Sequence, residues 1–165
     1  MKPPPGRVYA GLFLLSAGAL LFQVTFVRIF SAAIWYHFAF LVISVALFGI
    51  GTSGVALAAG PRLRQDSWRG MAPLGFAAAA VLSYVAANAV PFSPFRILQD
   101  PSQIGWFLLD DLILAVPFFF FGLAVALVLR AWPERAGRLY AFDLLGAACG
   151  TLLVFVVLRP LGARG

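Results

Sequence analysis

The sequence has few charged residues and few of the side chains that bind metals or form disulfides. Charged residues make up 11% of its 165 positions, 62% are apolar, and there is one cysteine and one histidine. A soluble domain has about 25% charged and roughly 45–50% apolar residues, so the soluble globular class is excluded. One cysteine excludes an internal disulfide framework and a cysteine-rich metal or iron–sulfur site. One histidine excludes bis-histidine haem ligation within this chain.

Apolar and aromatic residues are abundant instead. The 17 Phe, 4 Trp and 4 Tyr exclude a disordered chain, and the mean hydropathy of +0.97 indicates an integral membrane protein. The net charge of +6 comes from cations clustered between apolar runs. This pattern is typical of membrane topology, so we expect no nucleic-acid partner.

Five apolar runs are each long enough to cross a bilayer core of about 30 Å as a helix. They do not alternate as the strands of a membrane barrel do. We therefore predict one all-α domain, a polytopic transmembrane helix bundle of about five spans covering residues 1–165. The predicted spans are Val8–Val27, Phe38–Ala59, Met71–Val90, Leu112–Leu129 and Leu139–Leu158.

Lysine and arginine are distributed unequally between the two ends of these spans. Eight lie at one end and four at the other, which predicts a cytoplasmic N-terminus. The larger group is Lys2, Arg7, Arg62, Arg64, Arg69, Arg130, Arg135 and Arg138, and the smaller is Arg28, Arg96, Arg159 and Arg164.

Asp143 lies about one turn inside the predicted fifth helix, where an ionisable side chain is costly. One interpretation is a proton or cation site. The other is structural: the dipole at the helix N-terminus favours an acid there, which Arg7, Arg62 or Arg138 would neutralise. We favour the structural interpretation.

Asp110 and Asp111 precede the predicted fourth helix, after a predicted short interfacial helix over Ile104–Leu109. They suit an N-cap and a first-turn acid. Arg28 and His37 fall at the same membrane level, which favours a structural ion cluster over a binding site. His37 is interpreted as an interfacial hydrogen-bonding residue, and contact with a pigment is the alternative.

Small residues in two spans predict close helix packing. Gly146 and Gly150 form a GxxxG motif, and Gly49 and Gly54 lie on a small-residue face of the second span. We favour packing within the chain over packing with a partner. The sequence shows no nucleophile–base pair, phosphate-binding loop or metal-ligand cluster, so we predict no catalytic, cofactor or metal residues. A bound lipid or pigment is left open.

Four stretches resemble the membrane-spanning N-terminal region of bacterial spermidine synthase-like (polyamine aminopropyltransferase-like) proteins. They cover about a third of the chain in matching order: Ser16–Phe30, Trp35–Gly54, Pro117–Leu127 and Gly137–Gly150. The last stretch, with Tyr140, Asp143, Gly146 and Gly150, is the most specific. Proteins of this family usually continue with a further helix and a Rossmann-type synthase domain. The sequence contains neither, so no catalytic residue carries over, and whether Gly165 is the natural C-terminus stays open.

The resemblance implies a multi-pass protein of the bacterial inner membrane. We expect a non-catalytic anchor or scaffold subunit of a larger membrane complex, with other membrane-protein subunits as partners. The partner would be a separately encoded synthase-like enzyme or an energy-transducing complex. The alternative is a component of a small-cation or polyamine transporter or channel, with Asp143 and the Asp110–Asp111 pair as cation sites. We do not expect the chain alone to be an enzyme.

Overall fold

The computed structural model describes residues 3–33, 38–91 and 100–162, and nearly all of these residues are helical. The helices are α1 (Gly6–Ala33), α2 (Phe38–Ala59), α3 (Trp68–Ala89), α4 (Ser102–Ala131) and α5 (Ala136–Gly162). Short 3-10 turns over Pro61–Arg64 and Pro133–Arg135 follow α2 and α4. All five helices of the described part are long and apolar enough to cross a membrane, which confirms the predicted all-α class with five spans.

Proline and a capping arginine define the end of α2. The Gly60 amide donates to the Ala56 carbonyl at 2.8 Å, and Pro61 has no N–H with which to continue the helix. The Arg64 side chain then folds back and donates to the carbonyls of Leu57 and Ala58 at 3.0 and 2.5 Å. These carbonyls belong to the last turn, whose acceptors have no partner within the helix. The predicted end of this span at Ala59 is confirmed.

Helix α4 differs from its predicted extent. The structure contains one continuous helix from Ser102 to Ala131, where the sequence predicted a short interfacial helix followed by a span from Leu112. The helix begins at Ser102 after Pro101, and just ahead of it the Asp100 carboxylate accepts from the Ser102 amide at 3.0 Å. The prediction was wrong because the aspartates at 110 and 111 were interpreted as the helix start, whereas the helix begins about 12 Å earlier along its axis.

The first and last helices pack side by side as a parallel pair. Gly146 and Gly150 are both buried, and a Cβ atom added at either would collide with the backbone of Phe13 or Ala17 of α1, respectively. The helices can therefore approach this closely only because both positions are glycine. Apart from its adjoining 3-10 turn, α5 makes nearly all its contacts with α1.

Helix α4 is the centre of the remaining packing and contacts both α2 and α3 extensively. A Cβ atom at Gly49 would lie 2.5 Å from the Ala115 carbonyl oxygen, and one at Gly122 would lie 2.5 Å from the Ser53 hydroxyl. On its other side, α4 presents Phe120 to Gly75 of α3. The buried side chains here include Pro117, Leu123, Ala124 and Leu127 of α4 and Ala72 of α3.

Gly54 does not take part in this packing. It is exposed, and a Cβ atom there would meet nothing within 4 Å. The predicted role of Gly54 in close packing was therefore wrong, because five residues at about 100° each place it roughly 140° around α2 from Gly49, away from α4. Gly122 of α4 makes the corresponding close contact with Ile50 and Ser53.

The order of contacts along the helices places the starts of α1, α3 and α5 at one end of the bundle, together with the ends of α2 and α4. Phe26 meets Tyr84, as expected for parallel α1 and α3, and Gly75 meets Phe120, as expected for antiparallel α3 and α4. We call this end the arginine-rich end, and it carries Arg7, Arg62, Arg64, Arg69, Arg130, Arg135 and Arg138.

We predict that Gly150→Leu lowers the free energy of unfolding by about 1–3 kcal/mol, because the new side chain overlaps the α1 backbone and forces the two helices apart. Thermal unfolding in mild detergent measures the effect. Gly51→Leu in α2 is the matched control, because a Cβ atom at Gly51 meets open space. Equal unfolding temperatures for the two variants would contradict the assigned contact.

Candidate functional site

Asp143 is half-buried in α5 and faces Ser16, a fully buried residue of α1. The Ser16 hydroxyl lies 2.9 Å from the Leu12 carbonyl oxygen and is also hydrogen-bonded to Oδ1 of Asp143. A serine hydroxyl carries one proton and can also accept. Two arrangements satisfy it: Ser16 donates to the Asp143 carboxylate, or its single proton is shared between that carboxylate and the Leu12 carbonyl. In both, the polar pair joins α1 to α5 close to their glycine contact.

The predicted ion pairs of Asp143 are not formed. The salt bridge of the described residues joins Arg69 to Asp66 at 2.6 Å, and Asp143 makes none with Arg7, Arg62 or Arg138. The sequence indicates which charged residues lie at the same end of the spans, but it does not show which helices face each other. Because α5 turns Asp143 toward α1, a serine nearly three turns into α1 becomes its partner. A buried serine in an apolar span was the available signal, since such a residue needs an acceptor.

Asp110 and Asp111 lie in the third turn of α4 and not at its start, so their prediction as an N-cap and first-turn acid was wrong. Asp110 is 8% exposed, and its Oδ1 atom has no hydrogen-bond partner among the described residues. It lines a cavity of about 220 Å³ with Tyr84 and Asn88 of α3. The Asn88 side-chain amide donates to the Tyr84 carbonyl at 2.7 Å. A buried carboxyl group is thus placed beside a small, mainly apolar cavity between α1, α3 and α4.

Asp111 faces a different groove. Consecutive residues of a helix point about 100° apart, and Asp111 lines a cavity of about 370 Å³ with Ser44 and Phe48 of α2. The Ser44 hydroxyl donates to the Phe40 carbonyl of its own helix at 3.0 Å. The two neighbouring aspartates therefore do not converge on one ligand position.

Arg28 contacts an aromatic ring and no aspartate. Its guanidinium carbon lies 4.6 Å from the centre of the Phe155 ring, which connects α1 to α5. The predicted ion cluster of Arg28 with Asp110 and Asp111 was wrong, because α1 presents Arg28 to α5 and away from α4. His37 lies outside the described residues.

The described residues contain no group of three His, Cys, Asp or Glu side chains placed to hold a metal ion. Comparison with known proteins found no matching family model, no matching curated protein and no matching solved structure. The resemblance to spermidine synthase-like proteins therefore stays a prediction. The structure defines the class as a multi-pass helical membrane protein. Its aspartates at 110, 111 and 143 lie in three separate places and do not form one site.

We predict a coupling free energy of about 1 kcal/mol between Ser16→Ala and Asp143→Ala, the usual size of a hydrogen bond between transmembrane helices. A double-mutant cycle of unfolding in detergent measures it. Thr151→Ala is the control for Asp143, because the Thr151 hydroxyl donates to Ala147 of its own helix at 3.0 Å. If Ser16→Ala couples to Thr151→Ala as strongly as to Asp143→Ala, the coupling reflects a general loosening of α5, and the assigned hydrogen bond is contradicted.

Proposed function

We propose that this chain is a non-catalytic membrane module that serves as an anchor or scaffold subunit of a larger complex. In this proposal it lies in the inner membrane of a bacterium with its N-terminus in the cytoplasm and is not itself an enzyme. Its role would correspond to the membrane part of spermidine synthase-like proteins, which it resembles. The position of the arginine-rich end supports the proposed orientation, since cytoplasmic ends of spans carry an excess of arginine and lysine.

The observation that carries the proposal is the uncovered face of α5. At about 100° per residue, Gly137, Ala141 and Ala148 fall within roughly 40° of one another, opposite the Gly146–Gly150 face that contacts α1. These three small residues are exposed, and the larger Leu144, also exposed, lies on the same face between Ala141 and Ala148. Small residues let a second helix approach closely, and lipid contact does not require them. Helix α5 lies at the edge of the bundle, so a partner helix has access to this face.

Native mass spectrometry of the complex extracted in mild detergent tests the proposal. We expect a heteromeric mass for the native protein and dissociation when Ala148→Trp obstructs the small-residue face. Val81→Trp in α3 is the matched control, because Val81 is also exposed but lies on another helix. A lone monomer from native membranes would contradict the scaffold role, and loss of the partner in both variants would contradict the assignment to α5.

The second candidate is a component of a transporter or channel for a small cation or polyamine. The unpartnered Oδ1 of buried Asp110 beside the cavity with Asn88 and Tyr84 favours it. An unpaired carboxylate in the membrane is expensive, and a bound cation or proton relieves that cost. The separation of Asp110 from Ser16 and Asp143 along the bundle argues against one continuous polar path.

For this candidate we predict that Asp110→Asn lowers cation or spermidine flux into proteoliposomes by roughly tenfold, the effect of losing one charge-assisted hydrogen bond. Asp66→Asn is the control, since Asp66 is 89% exposed at the arginine-rich end. Flux that is equal in the wild type, in Asp110→Asn and in empty liposomes would contradict the transport role.

A further inference from the structure

A cavity of about 510 Å³ opens at the arginine-rich end between the first turns of α1 and α3 and the last turns of α4. It lies away from Asp110 and away from the uncovered face of α5. Its inner wall is apolar and is built from side chains such as Leu12, Leu15 and Val128. Its rim contains Arg7, Arg69 and Trp132. The cavity therefore combines a cationic mouth with an apolar interior.

The arginine of α3 is held in place at this rim. The guanidinium carbon of Arg69 lies 5.5 Å from the centre of the Trp132 ring, and the same side chain forms the salt bridge with Asp66. Asp66 is 89% exposed, so this surface pair contributes little and a stronger anion can replace the carboxylate. Among the described residues, Asp66 is the carboxylate that forms a salt bridge with an arginine of this rim.

Two of the helix ends at the mouth are N-termini. Arg7 is the second residue of α1 and Arg69 the second residue of α3, so two positive dipole ends flank the mouth, facing the negative C-terminal end of α4. Gly11 and Gly70 also line the cavity, and a Cβ atom at either would meet nothing within 4 Å. The space beside both helices is therefore open from the arginines down to the apolar wall.

We propose that this cavity binds the phosphate headgroup of an anionic phospholipid, with an acyl chain against Leu12, Leu15 and Val128. Arg7 and Arg69 bind the phosphate oxygens, because guanidinium groups suit phosphate geometry. Trp132 lies at the level of the headgroup, where tryptophan is enriched in membrane proteins. A basic pocket between transmembrane helices is a known mode of anionic lipid recognition. The inference is independent of the scaffold proposal.

The test is a lipid titration of the full chain in neutral detergent, read by native mass spectrometry. The probes are dioleoylphosphatidylglycerol, dioleoylphosphatidylcholine and inorganic phosphate. We expect the anionic lipid to bind at least tenfold more tightly than the zwitterionic one. The double variant Arg7→Gln/Arg69→Gln should weaken the anionic lipid by roughly tenfold to thirtyfold, from the loss of two cations near the headgroup. Arg135→Gln/Arg138→Gln removes the same charge from the same end outside the cavity and should bind as the wild type does.

A variant without charge change keeps the test decisive if the arginine variant fails to fold. Gly11→Leu fills the open space of the cavity and should also abolish preferential binding, whereas Gly51→Leu, which faces open space in α2, should not. Equal loss in both arginine pairs would assign binding to diffuse surface charge and overturn the proposal. Unchanged binding in Gly11→Leu would overturn it as well, as would inorganic phosphate binding as tightly as the lipid.

Discussion

Close backbone contact at glycine is the interaction on which the arrangement of the five helices depends. Inside a bilayer the lipid tails are as apolar as leucine, so helices gain little from hydrophobic burial against each other and associate through van der Waals packing. Gly146 and Gly150 bring α5 against α1, while Gly49, Gly75 and Gly122 let α4 lie against α2 and α3. A Cβ atom at Gly49, Gly146 or Gly150 would collide with the backbone of the facing helix, whereas one at Gly75 would meet the Phe120 side chain.

These contacts also determine where polar side chains meet. The parallel packing of α1 and α5 places Ser16 beside Asp143, so an acid that is costly in the membrane gains a hydrogen-bond partner. The packing of α4 between α2 and α3 has the opposite effect on Asp110, whose Oδ1 is buried without a partner among the described residues. The packing thus gives one aspartate a partner on another helix and leaves an oxygen atom of the other without one among the described residues.

The two ends of the bundle differ in their chemistry. At the arginine-rich end, two of the arginines and two helix N-termini surround one apolar cavity, an arrangement that suits an anionic headgroup. The opposite end carries Asp110 and Asp111, which face separate grooves. A scaffold subunit needs a defined depth and orientation in the bilayer, and a bound lipid at one end would help to fix both. The uncovered small-residue face of α5 would then be presented to a partner at a constant depth.

The sequence by itself determined the fold class and most helix ends. Twenty or so apolar residues in lipid must satisfy their own backbone, so the five runs had to become helices, and Gly60-Pro61 ended α2 where the pattern predicted it. Only the tertiary structure decided the partners of the polar residues. Asp143 is hydrogen-bonded to Ser16 instead of pairing with an arginine, Gly122 takes the place of Gly54 in the packing, and Arg7, Arg69 and Trp132 line one cavity. The physical reason is that hydropathy fixes how deep a residue lies, whereas the rotation of each helix, set by packing at glycines far apart in the chain, decides what it faces.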